Sequence, residues 1–258
     1  MTDLLDKVVL VTGAAGGFGR EMIGQFAEAG SRLLLTDLAL PALEEAVAAW
    51  PGAAGAVLGC VAADLSGAEG CERVYRWSVE QGVDVDVLVN NAGLAHYGAF
   101  HQYPAEKWEE VLRVNLVAPM RLTHHFLPGM IERRQGHIVN ISSAAGWLGS
   151  PGLAPYSATK FGLRGFGEAV AREAKRYNVL VTTVYPFFSR TPIIEVERFG
   201  TLPRAALPER MLSDPADVVR QIVHGIRDNR HHVFPDKTAR RIYLVQRYAP
   251  WLLPYLLR

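Results

Sequence analysis

The stretch "KVVLVTGAAGGFGR", residues 7–20, joins a short apolar run to a glycine-rich turn. The apolar run predicts a buried β-strand, and the segment "EMIGQFAEAG", residues 21–30, predicts a helix directly after the turn. Glycine permits a tight turn and a close approach of the backbone to a ligand. The start of the following helix offers free N–H groups and a partial positive charge, which suit a phosphate group. The stretch therefore predicts a strand–turn–helix unit that binds phosphate.

The same alternation of short apolar runs and amphipathic stretches continues along the chain. The predicted strands are residues 7–13, 32–37, 55–65, 85–93, 136–143, 179–186 and 231–235. The predicted helices are residues 21–30, 40–50, 68–81, 105–133, a stretch that contains Tyr156, and 214–229. Apolar runs with little alternation are typical of strands covered on both faces, as in a parallel sheet. The sequence predicts an α/β fold: one doubly wound domain with a mostly parallel seven-stranded sheet flanked by helices.

Composition narrows the class of protein. The chain has 258 residues with a formal net charge of +1, so it carries no overall field that would attract nucleic acid, and no nucleic-acid partner is expected. Its two cysteines, Cys60 and Cys71, lack metal-ligand spacing, so we expect two reduced thiols and no metal site. The first residues lack the pattern of a signal peptide, and no run is long enough to span a membrane. A soluble cytoplasmic protein is expected.

The glycines and an acidic residue after the second strand indicate a dinucleotide. Glycines at 13, 17 and 19 have the spacing G-x-x-x-G-x-G. Asp37 ends the second strand, about 20 residues further on, where an acidic side chain hydrogen-bonds a ribose 2′-OH and would repel a 2′-phosphate. The glycine loop contains no Arg or Lys, and none directly follows Asp37. These features favour NAD(H) over NADP(H). The alternative is that Asp37 merely caps the next helix.

Several further motifs occur in a fixed order. They are "TGAAGGFG" at 12–19, Asp64 with Leu65, "NNAG" at 90–93, Asn115, "NISS" at 140–143 and "YSATK" at 156–160. Over residues 7–235 the chain resembles the short-chain dehydrogenase/reductase family of the common single-domain type. The resemblance implies a Rossmann-type, NAD-binding catalytic domain over residues 1–235 and a homodimer or homotetramer. Residues 236–258 are predicted to be an apolar C-terminal segment that packs on this domain, on an interface or on a membrane surface.

Tyr156 and Lys160 are the predicted centre of the chemistry. They are four residues apart, so they share one helix face. A free tyrosine has a pKa of about 10, and a nearby cation stabilises the phenolate and lowers that value. The resemblance implies that Tyr156 is the acid/base and that Lys160 tunes it and holds the nicotinamide ribose. Ser143 would polarise the substrate oxygen, and Asn115 would hold a water of a proton relay.

The resemblance also implies a cofactor site. Its residues would be Gly13, Gly17, Phe18, Gly19, Asp37, Asp64, Leu65, Asn91, Ala92, Gly93, Tyr156, Lys160, Pro186 and Thr191. Within it, Asp64 would contact the adenine ring and Thr191 would bond the carboxamide. One position departs from the family pattern: Phe187 follows Pro186 where the family usually has glycine. Its side chain would either narrow the nicotinamide pocket or line the substrate site.

The substrate pocket is expected in the loops beyond the carboxyl ends of the strands. Its predicted residues are His96, Tyr97, Ser143, Trp147, Leu153, Phe187 and Phe188. An apolar, aromatic lining favours a hydrophobic alcohol or ketone. The alternative is that several of these residues pack in the core or in a subunit contact. Residues 187–212 are predicted to form a movable lid.

The sequence thus favours an NAD(H)-dependent alcohol dehydrogenase or ketone reductase that acts on a hydrophobic secondary alcohol. Two alternatives remain: an NAD(H)-binding scaffold or sensor without turnover, and a membrane-peripheral reductase of lipid, steroid or retinoid type. The second alternative rests on residues 239–258, which are apolar and aromatic with interspersed arginines. Trp251 and Tyr255 would lie at the lipid boundary. The same segment could instead close the substrate pocket, form a subunit contact or be a loosely packed tail.

Overall fold

A seven-stranded parallel sheet forms the centre of the protein. The computed structural model describes residues 2–194, 196–203 and 208–252, without the side chains of Ile194 and Arg210. The strands in chain order are β1 (Val8–Thr12), β2 (Arg32–Asp37), β3 (Val57–Ala62), β4 (Val87–Asn90), β5 (Tyr97–Gly98), β6 (Gly136–Ile141), β7 (Val179–Val184), β8 (Arg198–Phe199) and β9 (His232–Val233). The main sheet has the order β3-β2-β1-β4-β6-β7-β9, and β5 pairs with β8 in a separate two-stranded sheet.

Helices cover both faces of the main sheet. They are α1 (Gly17–Glu28), α2 (Leu40–Ala48), α3 (Ala68–Glu80), α4 (Ala105–Leu112), α5 (Ala118–Glu132), α6 (Ala154–Ala174), α7 (Pro215–Arg227) and α8 (Lys237–Tyr248). Alternate residues of β1 enter two separate cores. Val9 and Val11 pack with α1, α2 and α7, whereas Val8 and Leu10 pack with α3, α5 and α6. The predicted doubly wound, Rossmann-type α/β fold is confirmed.

Two helices differ from the sequence prediction. α1 begins at Gly17, four residues earlier than predicted, because the glycine loop turns directly into the helix. The single helix predicted over residues 105–133 is interrupted by one π-helical turn, Arg113–Val117, between α4 and α5. A π-turn inside an α-helix inserts one extra residue and often marks a functional position. Here the turn contains Asn115.

The pairing of β5 with β8 links the loop after β4 to the predicted lid. The register places Tyr97 opposite Arg198 and Gly98 opposite Phe199. Strands of two residues leave no periodic signal in a sequence, so this second sheet was not predicted. Glu195 and residues 204–207, which belong to the predicted lid 187–212, lie outside the described residues. The movement of this segment stays a prediction.

The C-terminal segment contains a helix that packs on the same domain. Asp236 caps α8, since its Oδ1 accepts a hydrogen bond from the Ala239 N–H at 2.7 Å. Tyr243 stacks on Phe234 with ring centroids 4.4 Å apart and meets Trp147 edge-on at 4.8 Å. Residues 253–258, with Tyr255, lie outside the described part of the chain. Among the described helices, none has both the length and the apolar composition needed to cross a bilayer.

Candidate active site

A cavity of about 860 Å³ lies beyond the carboxyl ends of the parallel strands. Its wall includes Gly13 after β1, Asp37 at the end of β2, Asn91 after β4, Ser143 after β6 and Pro186 after β7. In open α/β sheets ligands bind in the crevice outside these strand ends. The order of the strands therefore brings residues from the ends of five separate strands to one site.

The glycine loop at one end of the cavity has no room for side chains. Gly13 has a φ of +63°, and a Cβ there would lie 2.8 Å from the Cα of Ala92. A Cβ on Gly17 would lie 2.4 Å from the Cγ2 of Thr191. α1 begins at Gly17, and no side chain caps its first N–H groups. This end of the cavity therefore presents bare backbone and an uncapped helix start, which fit a pyrophosphate.

Gly19 supports the loop from behind and does not line the cavity. A Cβ on Gly19 would lie 2.1 Å from the carbonyl oxygen of Gly13. Gly19 was predicted as a cofactor-binding residue. In the structure Gly19 lets α1 pack tightly against the turn that carries the other glycines, and its contact with a cofactor stays a prediction. Its requirement for glycine comes from backbone contact within the protein.

The "NNAG" segment braces the glycine loop. Asn91 Nδ2 donates to the carbonyl oxygens of Thr12 at 2.9 Å and of Gly13 at 3.0 Å. In return, Thr12 Oγ1 accepts hydrogen bonds from the backbone N–H groups of Asn91 at 2.9 Å and Ala92 at 3.0 Å. The end of β4 and the end of β1 are thus tied together, and the conformation of the loop is fixed before any ligand arrives.

Asp37 holds a carboxylate at the same end of the cavity. Its Oδ2 accepts from the Ala15 N–H at 2.8 Å, and its Oδ1 accepts from the Leu38 N–H at 2.7 Å. Arg20 is directed to other partners, donating from Nε to the Ala15 carbonyl at 2.9 Å and pairing with Glu45 at 2.9 Å. The carboxylate of Asp37 is therefore oriented by two backbone donors and has no cationic partner among the described cavity residues near it.

The predicted cofactor residues are brought together by the fold. All except Gly19 line the cavity: Gly13, Gly17, Phe18, Asp37, Asp64, Leu65, Asn91, Ala92, Gly93, Tyr156, Lys160, Pro186 and Thr191. The glycines leave a backbone cradle, the helix start is uncapped, and a fixed carboxylate lies nearby. These residues fit a dinucleotide.

The catalytic candidates lie further along the cavity. Ser143 follows β6, Tyr156 is in the first turn of α6, and Lys160 is one turn later. The buried Nζ of Lys160 donates to the Ile141 carbonyl at 2.8 Å and lies 5.4 Å from the centroid of the Tyr156 ring. Ser143 Oγ accepts from the Ala145 N–H at 3.1 Å and faces the Pro186 carbonyl at 3.4 Å. Three groups that can hold or move a proton thus share one wall.

Burial dominates the acid–base properties of this wall. It lowers the pKa of Lys160 to about 8 and raises the pKa of Tyr156 to about 12, and a hydrogen bond with the Ser143 side chain partly opposes the second shift. The sequence predicted that Lys160 lowers the pKa of Tyr156. In the structure the net shift has the opposite direction, because desolvation disfavours both the ammonium and the phenolate.

Asn115 lies behind the cavity wall. Its buried side chain accepts from the Leu94 N–H at 2.9 Å and donates to the Leu94 carbonyl at 2.8 Å. Between it and Lys160 lies Gly93, where a Cβ would be 3.3 Å from Asn115 Oδ1 and 3.7 Å from Lys160 Nζ. The amide of Asn115 therefore fixes the loop after β4 next to Lys160, from a position set by the π-turn.

Four of the predicted pocket residues besides Ser143 line the far end of the cavity: His96, Leu153, Phe187 and Phe188. The backbone N–H of Phe187 donates to Asp236 Oδ2 at 2.9 Å, and its ring meets that of Phe188 edge-on at 4.8 Å. Phe187 is not among the described non-glycine residues with positive φ. It therefore takes the place of the family's glycine without a left-handed backbone, and its ring becomes part of the substrate end.

Tyr97 and Trp147 were also predicted as pocket residues. Neither lines the cavity. Trp147 packs under the Arg164 guanidinium, 3.3 Å from its ring centroid, and against Tyr243 of α8. The Tyr97 hydroxyl donates to the Pro203 carbonyl at 2.8 Å. Both aromatic side chains make contacts between segments that are distant in the chain, which the sequence did not reveal.

The sequence missed a charged cluster at the far end of the cavity. His96 lies between Glu110 and Glu197, with Nε2 to Oε2 of Glu110 at 3.9 Å and Nδ1 to Oε2 of Glu197 at 3.7 Å. Lys107 also lies within ion-pair distance of both carboxylates. Glu110, Glu197 and His96 line the cavity. No sequence signal could have found this cluster, because its members come from a loop, from α4 and from the segment before β8.

Two further observations complete the site. Among the described residues, no group of three or more His, Cys, Asp or Glu side chains is arranged to hold a metal ion. Both cysteines are free, and burial raises the pKa of Cys71 to about 11. Neither cysteine lines the cavity.

Comparison with known proteins identifies the class. Residues 7–198 match the family model described as short chain dehydrogenase. An acetoacetyl-CoA reductase from Acinetobacter sp. (strain RA3849) is 33% identical over 88% of this chain and 93% of its own length. Epidermal retinol dehydrogenase 2 from Homo sapiens is 34% identical over 95% of this chain and 78% of its own length.

Solved structures show the same fold. A short-chain dehydrogenase/reductase from Burkholderia phymatum in complex with NAD has a TM-score of 0.84 at 25% identity, covering 99% of this chain and 97% of its own. A short-chain dehydrogenase from Sphingobium yanoikuyae in complex with NADPH has a TM-score of 0.80 at 26% identity, with 95% of each chain covered. The chain belongs to the short-chain dehydrogenase/reductase family of oxidoreductases, as the sequence motifs predicted. These two structural neighbours are complexes with NAD and with NADPH, respectively.

Proposed function

We propose that this protein is an NAD(H)-dependent oxidoreductase that interconverts a hydrophobic secondary alcohol and its ketone. The observation that carries the proposal is one shared cavity, which holds Ser143, Tyr156 and Lys160 together with the glycine loop and Asp37. A dinucleotide site and a set of proton-transferring groups at one strand edge serve hydride transfer better than they serve binding alone.

The cofactor preference rests on Asp37. A nicotinamide cofactor would supply the hydride-transfer group, which no protein side chain provides. The glycine loop and the start of α1 would hold its pyrophosphate, and the carboxylate of Asp37 would accept hydrogen bonds from ribose hydroxyls. Lys160 is the one Arg or Lys among the described cavity-lining residues, and it belongs to the catalytic wall. A 2′-phosphate near Asp37 would meet a carboxylate and no compensating cation, which supports NAD(H).

The side chains of the catalytic wall divide the proton chemistry. Tyr156 would donate its proton to the ketone oxygen in reduction and accept the alcohol proton in oxidation. The Ser143 hydroxyl would turn from the Pro186 carbonyl to the substrate oxygen and stabilise the charge that develops there. Lys160, held against the Ile141 carbonyl, would stabilise the phenolate when its amine is protonated. Asn115 would act as a positioning residue, by fixing the loop beside Lys160.

The lining supports a neutral, hydrophobic substrate. The far end of the cavity is built by aromatic and aliphatic side chains: Leu148, Leu153, Phe187, Phe188 and Ile242. Its remaining ionisable side chains are His96, Glu110 and Glu197, and the two carboxylates disfavour an anionic substrate inside the cavity. One relative is named as a dehydrogenase of retinol, a hydrophobic alcohol, and another as a reductase of acetoacetyl-CoA, a ketone in a thioester.

The deciding experiment follows cofactor absorbance with a panel of hydrophobic secondary alcohols, using NAD⁺ and NADP⁺ in parallel. Acetoacetyl-CoA with NADH and NADPH is the competing substrate. Tyr156→Phe should lower turnover by about 100- to 10,000-fold, the usual contribution of a general acid–base group. Tyr177→Phe, on a partly buried tyrosine outside the cavity, is the matched control. Wild-type turnover in Tyr156→Phe would refute the mechanism, and measurable NAD⁺ binding without turnover on any substrate would favour a scaffold.

Asp37→Ser tests the cofactor preference separately. Removing the carboxylate should raise the kcat/KM ratio of NADP⁺ to NAD⁺ at least about tenfold, because like charges placed together cost several kcal/mol. The ratio is its own control, since a general loss of activity lowers both values alike. An unchanged ratio would show that Asp37 serves the loop alone, through its bonds to Ala15 and Leu38.

A further inference from the structure

α8 and the turn that follows it have one exposed side. The side chains on this side are basic, apolar or aromatic. We call these residues the α8 outer face: Lys237, Arg240, Arg241, Leu244, Arg247, Tyr248, Trp251 and Leu252. They recur every three or four positions, which places those of α8 on one side of the helix. Trp251 is 68% exposed and Tyr248 is 66% exposed. Large apolar surface in a continuous exposed patch is typical of an interaction site.

The opposite side of α8 belongs to the core and to the cavity. Ala239 is buried, and Tyr243 packs on Phe234 and Trp147. Ile242 lines the cavity. The helix is therefore held in place by its inner side. The apolar residues of the outer face are not needed to close the core.

The charge of this segment is one-sided. Residues 237–258 contain five basic residues and no Asp or Glu. The whole chain has a formal net charge of +1, so the remainder is net negative. A chain with this asymmetry would orient its C-terminal segment toward an anionic surface.

We propose that the α8 outer face docks on an anionic lipid surface. The helix would lie in the plane of the interface, with Lys237, Arg240 and Arg241 among the headgroups. Trp251, Tyr248 and Leu252 would enter the boundary between headgroups and acyl chains, where amphipathic aromatic rings are stable. A second copy of the chain fits this face less well. A two-fold contact would bring the same basic residues of both copies together without an acidic residue of the segment between them.

Docking in this orientation has a consequence for substrate access. Because Ile242 reaches the cavity from the inner side of the same helix, the substrate end of the cavity lies directly behind the lipid-facing surface. A hydrophobic alcohol dissolved in the lipid would then reach the cavity without crossing much water. This consequence rests on the proposed function, whereas the docking itself does not.

The test is co-sedimentation of the full chain with vesicles of phosphatidylcholine alone and of phosphatidylcholine mixed with phosphatidylglycerol. Binding should be strong on the anionic vesicles and should weaken with added salt. The triple variant Lys237→Gln/Arg240→Gln/Arg241→Gln should lower the partition coefficient on the order of 100-fold, since each basic residue near such a surface contributes about fivefold. The control, Arg32→Gln/Arg73→Gln/Arg172→Gln, removes the same charge from exposed positions elsewhere and should bind as the wild type does.

A second variant isolates the apolar contribution. Trp251→Ser/Leu252→Ser should lower binding at least about tenfold and should do so at high salt too, because it removes buried apolar area rather than charge. Three results would overturn the proposal. The first is that the chain does not bind anionic vesicles, and the second is that the two triple variants lose vesicle binding equally. The third is that the chain binds no vesicles but forms a stable dimer, which Trp251→Ser/Leu252→Ser dissociates. Vesicle binding needs neither cofactor nor substrate, so its failure is distinguishable from failure of the proposed function in the absorbance assay.

Discussion

The two ends of the cavity are built by different means. The cofactor end is made of backbone: the glycine loop after β1, the first turn of α1 and the "NNAG" segment, which Asn91 and Thr12 tie together. The substrate end is made of side chains from segments far apart, such as His96, Phe187, Glu197 and Ile242. A backbone site depends on a few residues that must be small or polar. A site built from side chains depends on which segments the fold brings into contact. Its residues can therefore be of many types, and it is harder to recognise in the sequence.

Trp147→Ala should have the largest effect on the substrate end. Trp147 is 8% exposed and connects the loop after Ser143 to α8 through Tyr243 and to α6 through Arg164. Loss of the ring should lower the free energy of unfolding by about 3–5 kcal/mol, measured by denaturant titration. The exposed Trp251→Ala is the control and should change stability by less than about 0.5 kcal/mol. If Trp147→Ala changes the free energy of unfolding little but changes the substrate KM, Trp147 contacts the substrate instead.

Gly19→Ala should break the cofactor end. The new Cβ would lie 2.1 Å from the Gly13 carbonyl oxygen, so the loop must shift. We expect NAD⁺ affinity, measured by calorimetry, to fall at least about 100-fold, a cost of about 2.7 kcal/mol. Gly55→Ala is the matched control, since its Cβ would meet nothing within 4 Å. Equal affinities in the two variants would show that the loop is not held as tightly as the geometry indicates.

His137 lies in the central sheet, which supports both ends of the cavity. It is buried in β6, its Nε2 lies 2.8 Å from Thr182 Oγ1, and burial lowers its pKa to about 3. An unfolded histidine has a pKa of about 6.5, so below that pH the unfolded state gains a proton that the folded state does not bind. The contribution of His137 to the free energy of unfolding is therefore complete well above pH 6.5. It falls as the pH is lowered, by about 2 kcal/mol at pH 5.

The variant His137→Asn should have a lower free energy of unfolding at neutral pH. Its free energy of unfolding should also fall less between pH 6.5 and pH 5 than that of the wild type. In the exposed His101→Asn it should fall as it does in the wild type. The measurement is urea unfolding across the pH range, with cofactor binding followed in parallel. Identical acid profiles in the wild type and His137→Asn would assign the acid loss to other groups.

Glu197→Gln should have the smallest effect and should act on the substrate end alone. Its carboxylate pairs with Lys107 at 3.5 Å and with His96 at 3.7 Å, but the side chain is 52% exposed. Exposed ion pairs contribute about 1 kcal/mol or less, so substrate KM should change by no more than about fivefold, with NAD⁺ affinity unchanged. Glu209→Gln, which breaks the Arg190 pair outside the cavity, is the control. A loss of NAD⁺ affinity in Glu197→Gln would mean that the two ends are coupled.

The fold could be predicted from the sequence because the patterns that mark its strands and helices are local and repeated. Apolar runs such as 32–37 and 179–186 mark strands that are buried on both faces, and amphipathic stretches between them mark helices. What the pattern missed has no period of its own. The π-turn at Arg113–Val117 reads as ordinary helix in sequence, and the β5–β8 pair is too short to leave a trace.

The parallel fold, the glycine loop, the position of Asp37 and the spacing of Tyr156 and Lys160 could be predicted from the sequence, because each depends on residues close together in the chain. The tertiary structure was needed to show that Trp147 packs against α8, that Gly19 serves packing, and that Glu110 and Glu197 meet at His96. It also decided the direction of the Tyr156 pKa shift. Burial is a sum over neighbours from the whole chain, and for Tyr156 it outweighs the charge that lies four residues away.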